Sequence, residues 1–152
     1  MQRFIDRDRR RRWVTAVSQV LPVLAKLGIT TGRAQVLTTT GRRSGQPRTA
    51  MVGVVPIGGQ RYIFQAYPRS AWVANVRADP HATLTRGRRS SAVLLIEVPV
   101  GPRRGLLLRQ LRNDPGTGRL LVASGLVTGP APETVAAAAD RIAVFRVERQ
   151  RR

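Results

Sequence analysis

An arginine-rich loop between two strand-like segments carries the residues with the clearest potential for chemistry. It reads Gly41-Arg42-Arg43-Ser44-Gly45-Gln46-Pro47-Arg48. Glycine permits backbone angles that allow several N–H groups to converge on one anion. Ser44 adds a hydroxyl, and the guanidinium groups of Arg43 and Arg48 can present paired N–H donors to phosphate oxygens. The loop therefore indicates a phosphate site, although a charged hairpin loop without a ligand has the same composition.

A second cluster lies on a segment with helical spacing. It reads Trp72-Val73-Ala74-Asn75-Val76-Arg77-Ala78-Asp79-Pro80. Trp72 and Val76 are four residues apart and share one helix face, whereas Asn75 and Arg77 project elsewhere. Taken alone, this pattern is typical of a short helix that buries its tryptophan and leaves its arginine in solvent.

The composition excludes several catalytic classes. The 152 residues include no cysteine, and His81 is the single histidine. Disulfides, thiolate metal sites and a cysteine nucleophile are therefore excluded, and one histidine cannot build a zinc site or anchor a catalytic triad. We expect no metal site. We also expect a cytoplasmic protein, because no apolar run is long enough to span a bilayer and no signal-peptide pattern is present.

The net charge of +19 at pH 7 indicates an anionic partner. Such a charge raises the local concentration of anions whatever its origin. Nucleic acid, an anionic membrane and a polyanionic small molecule all have the required charge. Nucleic acid is disfavoured because aromatic residues make up only 5% of the chain and no recognition helix or zinc finger is evident.

Hydrophobic periodicity predicts the elements that position these clusters. Six strands are expected, at residues 34–40, 49–56, 61–66, 81–86, 91–98 and 142–148. Helices are expected at residues 71–78, 103–112 and 132–139. The strands between residues 34 and 66 are too close in sequence for helical crossovers, which disfavours a parallel Rossmann sheet. The pattern predicts a mainly β protein with short connecting helices, built as a small antiparallel barrel.

The N-terminal residues 1–30 form a basic segment followed by an amphipathic helix. Apolar residues recur there at helical spacing, and Gly28 is a stop signal. This helix either packs on the barrel or rests on an acidic membrane surface. The remaining residues 31–152 are predicted to form the barrel, within a single domain overall. The apolar residues of the helix face are Trp13, Val17, Val20, Leu21 and Leu24.

Taken together, the two clusters resemble the motifs of the deazaflavin-dependent nitroreductase family. The motifs are Thr38-Thr39-Thr40-Gly41-Arg42-Arg43-Ser44-Gly45-Gln46-Pro47-Arg48 and, later, Trp72-x-x-Asn75-x-Arg77-Ala78-x-Pro80. The resemblance covers roughly residues 27–98, with a similar closing strand at Val144-Phe145-Arg146-Val147. It implies a split β-barrel of the FMN-binding type. It also implies coenzyme F-420, an 8-hydroxy-5-deazaflavin that carries a hydride and ends in a phosphate and several glutamates.

By motif match, the resemblance implies a role for each residue. Arg43, Ser44 and Arg48 bind the tail phosphate, with Arg42 nearby, and Asn75 and Arg77 support the same tail. The strand after the loop and the segment at Ala66 and Tyr67 flank the ring. The protein supplies position and field, while the hydride chemistry belongs to the coenzyme. The expected coenzyme-binding residues are Arg42, Arg43, Ser44, Gly45, Arg48, Met51, Val52, Gly53, Ala66, Tyr67, Trp72, Asn75 and Arg77.

The acceptor side of the site is expected to be apolar. Trp72 and Val73 are predicted to form a wall that favours a hydrophobic acceptor, such as a quinone, an enone, a nitroaromatic or a lipid-like molecule. Because the motifs contain no histidine or carboxylate pair, Tyr67 is the candidate catalytic proton donor. Packing of Tyr67 against the ring without any chemical role is an equal alternative.

Two positions depart from the nitroreductase pattern. Many nitroreducing relatives have Tyr after the tryptophan and often His next, where this chain has Val73 and Ala74. The Trp-Val form resembles a subgroup linked to lipid-like ligands, so the acceptor stays open. One alternative is a non-catalytic binder or carrier of F-420 or a fatty acid, and another is an FMN-dependent split-barrel oxidoreductase. Peripheral contact with an anionic membrane and a homodimer are further hypotheses.

Overall fold

The computed structural model describes residues 33–150 of the chain. These residues contain six strands and four helices, joined by loops. The predicted N-terminal helix lies outside these residues. The strands are β1 Ala34–Thr40, β2 Pro47–Ile57, β3 Gln60–Phe64, β4 His81–Arg86, β5 Arg89–Glu97 and β6 Val144–Arg149. The helices are α1 Ala71–Ala78, α2 Val100–Asn113, α3 Gly116–Ala123 and α4 Pro132–Ala137.

The strands close into an antiparallel barrel in the order β1-β2-β3-β6-β5-β4. The predicted antiparallel barrel is therefore confirmed, and β1, β4 and α1 have the predicted bounds. Register fixes where the arginine-rich loop lies, because Thr40 pairs with Pro47 across β1 and β2. The intervening residues 41–46 must therefore turn at one end of the barrel.

The barrel interior forms the main hydrophobic core. Side chains of successive strand residues point to opposite faces, so every second residue faces inward. Helix α1 contributes Trp72, Val73 and Val76 to the same core. The ring centroids of Trp72 and Phe145 lie 5.4 Å apart at 58°, a tilted aromatic contact. Helix α1 is thus fixed against the barrel by burial of its apolar face.

A second core lies among the helices. Leu107 and Leu111 of α2 pack there with Leu121 of α3 and Val135 of α4. Helix α3 was not predicted, because Gly116 and Gly118 are poor helix formers. A Cβ atom on Gly118 would lie 2.9 Å from the Pro130 carbonyl oxygen, so close backbone packing requires glycine here.

A buried arginine connects the two cores. Arg103 of α2 is only 4% exposed. Its Nε and Nη2 atoms donate to the Val98 carbonyl at 3.0 and 2.8 Å, and Nη1 donates to the carbonyls of Ala139 at 2.9 Å and Ile142 at 3.2 Å. A guanidinium group can satisfy several acceptors at once because its donors are fixed in one plane. Arg103 therefore ties α2 to the end of β5 and to the segment before β6.

Replacing Arg103 with methionine should lower the free energy of unfolding by about 2–4 kcal/mol, because buried carbonyl oxygens lose their donors. Arg103→Met preserves most of the aliphatic stem. The matched control is Arg104→Met, since Arg104 is the exposed neighbour on the same helix. The control should change stability by less than about 0.5 kcal/mol. Urea unfolding measures both, and equal stability of the two variants would contradict the assigned role.

Candidate functional site

The arginine-rich loop closes on itself through short-range hydrogen bonds. The Gly41 N–H donates to the Gln46 carbonyl at 2.8 Å, and the Gly45 N–H donates to the Gly41 carbonyl at 2.8 Å. The Gln46 N–H donates to Ser44 Oγ at 3.2 Å. Gly45 has a φ of +66°, a left-handed conformation that favours glycine. The loop therefore has a defined shape that its own residues maintain.

Asn75 braces this loop from α1. Its side chain is 3% exposed. The Oδ1 atom accepts from the Arg42 backbone N–H at 3.2 Å and from Arg42 Nη1 at 3.1 Å, and Nδ2 donates to Thr39 Oγ1 at 3.4 Å. One amide thus links β1, the loop and α1. The geometry gives Asn75 a structural role toward the loop, through Arg42.

Two backbone N–H groups of the loop have no hydrogen-bond acceptor among the described residues. Within residues 33–150, the backbone N–H groups of Arg43 and Ser44 have no hydrogen-bond partner. The Arg43 side chain is exposed and also makes no hydrogen bond to a described residue. Arg48 Nη2 lies 3.4 Å from Ser44 Oγ and donates to it. Adjacent free N–H groups beside two guanidinium groups form a site for an anion such as phosphate.

A cavity of about 670 Å³ lies along β2. Its volume is in the range of small-molecule sites. Six of the predicted coenzyme-binding residues line it: Met51, Val52, Gly53, Ala66, Tyr67 and Trp72. Arg48 and Met51 are three positions apart on β2, a distance of about 10 Å along a strand. The loop and the cavity are therefore neighbours on one strand.

Six further residues complete the cavity wall, and motif reasoning did not find them. Asp114 and Leu120 come from the helical layer, where no motif was evident. The Asp114 carboxylate Oδ1 accepts from the Gly116 N–H at 3.1 Å, which fixes its position after α2. The sequence Asp114-Pro115-Gly116 signals a turn, but nothing in it indicates proximity to β2. The added residues are Arg33, Ala34, Phe64, Asn113, Asp114 and Leu120.

The backbone carbonyl of Tyr67 accepts two hydrogen bonds, while its side chain is exposed. The Tyr67 carbonyl accepts from Gln65 Nε2 at 2.9 Å and from Ser70 Oγ at 2.7 Å. Gln65 is itself anchored, because its Oε1 accepts from the Ala143 N–H at 3.0 Å. Tyr67 is 59% exposed, and its hydroxyl makes no hydrogen bond to the residues described. The hydroxyl is therefore available to a ligand in the cavity.

Two residues predicted near the ligand face elsewhere. Arg77 Nε donates to both carboxylate oxygens of Glu97 at 3.0 Å, and it makes no hydrogen bond to the loop within residues 33–150. The hydrogen bond that Arg77 donates to Glu97 raises the pKa of Arg77. Burial opposes this shift, and the negative charge of Glu97 adds to it. Val73 is 5% exposed in the barrel core and does not line the cavity, whereas Trp72, the other residue of the predicted apolar wall, does line it.

The closed antiparallel barrel, with the arginine-rich loop and a ring-sized cavity on the same strand, has the architecture that the motif resemblance implies for a split-barrel oxidoreductase. A family model described as F420H(2)-dependent quinone reductase matches residues 9–119. The chain belongs to this family. It is an oxidoreductase that depends on coenzyme F-420, which confirms the enzyme class and the deazaflavin coenzyme expected from the motifs. No curated protein matches the chain.

Two of three similar solved structures have TM-scores of at least 0.50 and show the same fold. A protein of unknown function from Agrobacterium tumefaciens is 14% identical with a TM-score of 0.51, covering 81% of this chain and 51% of the other. A NimC/NimA family protein from Clostridium acetobutylicum is 14% identical with a TM-score of 0.50, covering 90% and 82%. An F420-H2 dependent reductase, FDR-A, is 22% identical with a TM-score of 0.46, covering 76% and 94%. At these identities the likeness concerns the fold alone.

The lengths and hydropathies of the helices were compared with those of a membrane span. No helix within residues 33–150 combines the length and apolarity that a bilayer span requires.

Removing the Asn75 amide should destabilise the loop. Asn75→Ala leaves the Arg42 N–H without its buried acceptor, so the free energy of unfolding should fall by about 1–3 kcal/mol. The control is Asn113→Ala, because Asn113 is exposed at the end of a helix. Thermal unfolding monitored by circular dichroism compares the two, and Asn113→Ala should remain near the wild-type midpoint. A larger loss for Asn113→Ala would contradict the bracing role of Asn75.

Proposed function

We propose that this protein binds reduced F-420 along β2 and catalyses its oxidation by a neutral, apolar quinone. One observation carries the proposal: the anion-binding loop and the ring-sized cavity lie on the same strand, and both contain the expected coenzyme residues. Membership of a family described by quinone reduction supports the choice of acceptor.

The donors present fit the tail of F-420. Free N–H groups at Arg43 and Ser44 and the guanidinium groups of Arg43 and Arg48 suit a phosphate. A Cβ atom on Gly41 would lie 2.7 Å from Ser44 Oγ, so glycine allows the hydroxyl to sit inside the turn. In this proposal the loop binds the phosphate, and the other surface arginines assist capture of the tail glutamates.

The cavity fits a planar ring. Gly53 is exposed on β2, and a Cβ atom there would meet nothing within 4 Å, so the strand surface is bare at this point. Met51 and Trp72 lie beside it in the same wall. We assign the ring to this surface, with the open side of the cavity left for the acceptor.

The acceptor is assigned by the polarity of the remaining wall. Phe64 and Leu120 supply apolar surface, which favours a hydrophobic molecule. Asp114 and Arg33 give this wall one charge of each sign, so the wall has no net charge that would select a charged acceptor. A neutral quinone satisfies both conditions.

Proton delivery is assigned to Tyr67. Bound F-420 in its reduced form supplies a hydride, and a quinone that accepts it needs a proton to become a hydroquinone. Tyr67 carries a hydroxyl that is free of partners among the described residues and lines the cavity. In this proposal the Tyr67 hydroxyl donates a hydrogen bond to the quinone oxygen. As negative charge develops on that oxygen, the hydroxyl proton is transferred to it.

Coenzyme binding should depend on the loop more than on other exposed arginines. Arg43→Ala should weaken F-420 binding by about 1.5–3 kcal/mol, because a charge-assisted contact is lost. The control, Arg88→Ala, removes an exposed arginine from the turn between β4 and β5 and should cost far less. Fluorescence titration measures both, with FMN expected to bind at least about tenfold more weakly than F-420. Equal losses for the two variants would place the phosphate elsewhere.

Acceptor choice should follow charge and depend on Tyr67. Stopped-flow oxidation of the bound reduced coenzyme should be faster with a neutral naphthoquinone than with a naphthoquinone sulfonate of similar potential. Tyr67→Phe should slow turnover by about tenfold or more, as expected for loss of a proton donor, with coenzyme affinity nearly unchanged. Tyr62→Phe is the matched control, because it removes the chain's other tyrosine hydroxyl outside this cavity. Tight coenzyme binding without oxidation by any acceptor would favour the non-catalytic carrier.

A further inference from the structure

A second cavity of about 660 Å³ lies between α2 and the outside of the barrel. Ile96 of β5 and Arg146 of β6 are paired across the sheet and form its floor, together with Val98. Their neighbours Leu95 and Val147 are buried in the barrel core. Because strand residues alternate between faces, Ile96 and Arg146 face outward toward α2. We call this cavity the α2 groove.

Helix α2 presents two different faces. Arg103, Leu107, Gln110 and Leu111 are buried against the protein. The residues that line the α2 groove are spaced by three or four along the helix, which places them on another face. These residues are Pro102, Gly105, Leu106, Leu108, Arg109 and Arg112. Gly105 lacks a side chain, and a Cβ atom there would meet nothing within 4 Å, so glycine keeps the groove open.

The groove is apolar with a cationic edge. Ile96, Val98 and Leu106 supply the apolar surface. Glu97 also lines the groove but is engaged by Arg77, and Arg146 is paired with Glu148. Arg109 and Arg112 are exposed, and neither forms an ion pair with another residue between 33 and 150. Two uncompensated guanidinium groups therefore border the apolar surface.

We propose that the α2 groove binds a small anionic amphiphile. Its apolar body lies on Ile96, Val98 and Leu106, and its carboxylate, sulfonate or phosphate meets Arg109 and Arg112. A purely polar anion would leave the apolar surface in water, and a neutral apolar ligand would leave the arginines unused. The groove volume is within the range of small-molecule sites. It shares no lining residue with the coenzyme cavity, so the two sites are separate.

The probe is anilinonaphthalene sulfonate, an anionic amphiphile that fluoresces when bound, with phenylnaphthylamine as its uncharged counterpart. Titrations use the full chain with and without saturating F-420, so that any displacement of the probe by the coenzyme is detected. Gly105→Met should weaken sulfonate binding by about tenfold or more, because the new side chain fills the groove. Gly101→Met is the matched control: it lies on α2, its Cβ is equally unobstructed, and it does not line the groove.

The charge is tested by the double variant Arg109→Gln with Arg112→Gln, which changes only exposed side chains. It should weaken binding of the sulfonate by about tenfold while phenylnaphthylamine binding stays within about twofold. The proposal is overturned if F-420 displaces the sulfonate, if Gly101→Met weakens binding as much as Gly105→Met, or if the double variant weakens both probes equally. Circular dichroism verifies folding, and should Gly105→Met not fold, the double variant alone decides.

Discussion

The buried guanidinium of Arg103 is the constraint on which the layout of this protein depends. Its donors satisfy carbonyls at Val98, Ala139 and Ile142, which belong to segments far apart in sequence. These segments enclose the helical core, so α2 can pack against the barrel in only one position. The far end of α2 carries Asn113 and leads to Asp114, and both border the coenzyme cavity. The contacts of Arg103 near the start of α2 thus help to position Asn113 and Asp114, which line the cavity proposed for the coenzyme, at the other end of the helix.

The coenzyme site combines two kinds of structural support. The ring surface belongs to a barrel strand, whose position is fixed by pairing on both sides. The phosphate loop is irregular, and its shape depends on its internal hydrogen bonds and on Asn75. Because Asn75 lies on α1, the burial of Trp72 in the barrel core also holds the loop. The residues proposed to bind the two ends of the coenzyme are consequently parts of one connected assembly.

The sequence predicts local features of this protein better than long-range ones. Strand alternation and turn residues predicted the barrel strands, and the loop indicated a phosphate site, because both depend on neighbouring residues. The coenzyme was indicated by the resemblance of the two motifs together to a known family. The role of Arg103 was not predictable, since a buried arginine looks like any other in a chain with 27 basic residues. Asp114 was missed for a related reason: its place in the cavity results from helix packing. The close approach of Gly118 to Pro130, which allows α3 to pack, is likewise not evident from the sequence.

The self-closed form of the arginine-rich loop has a thermodynamic consequence for ligand binding. Its hydrogen bonds exist in the protein by itself, so the entropy lost in ordering residues 41–46 belongs to folding and not to association. Preorganisation of this kind lets most of the energy of each phosphate contact appear as affinity. A ligand bound to the ordered loop stabilises the folded protein further by mass action.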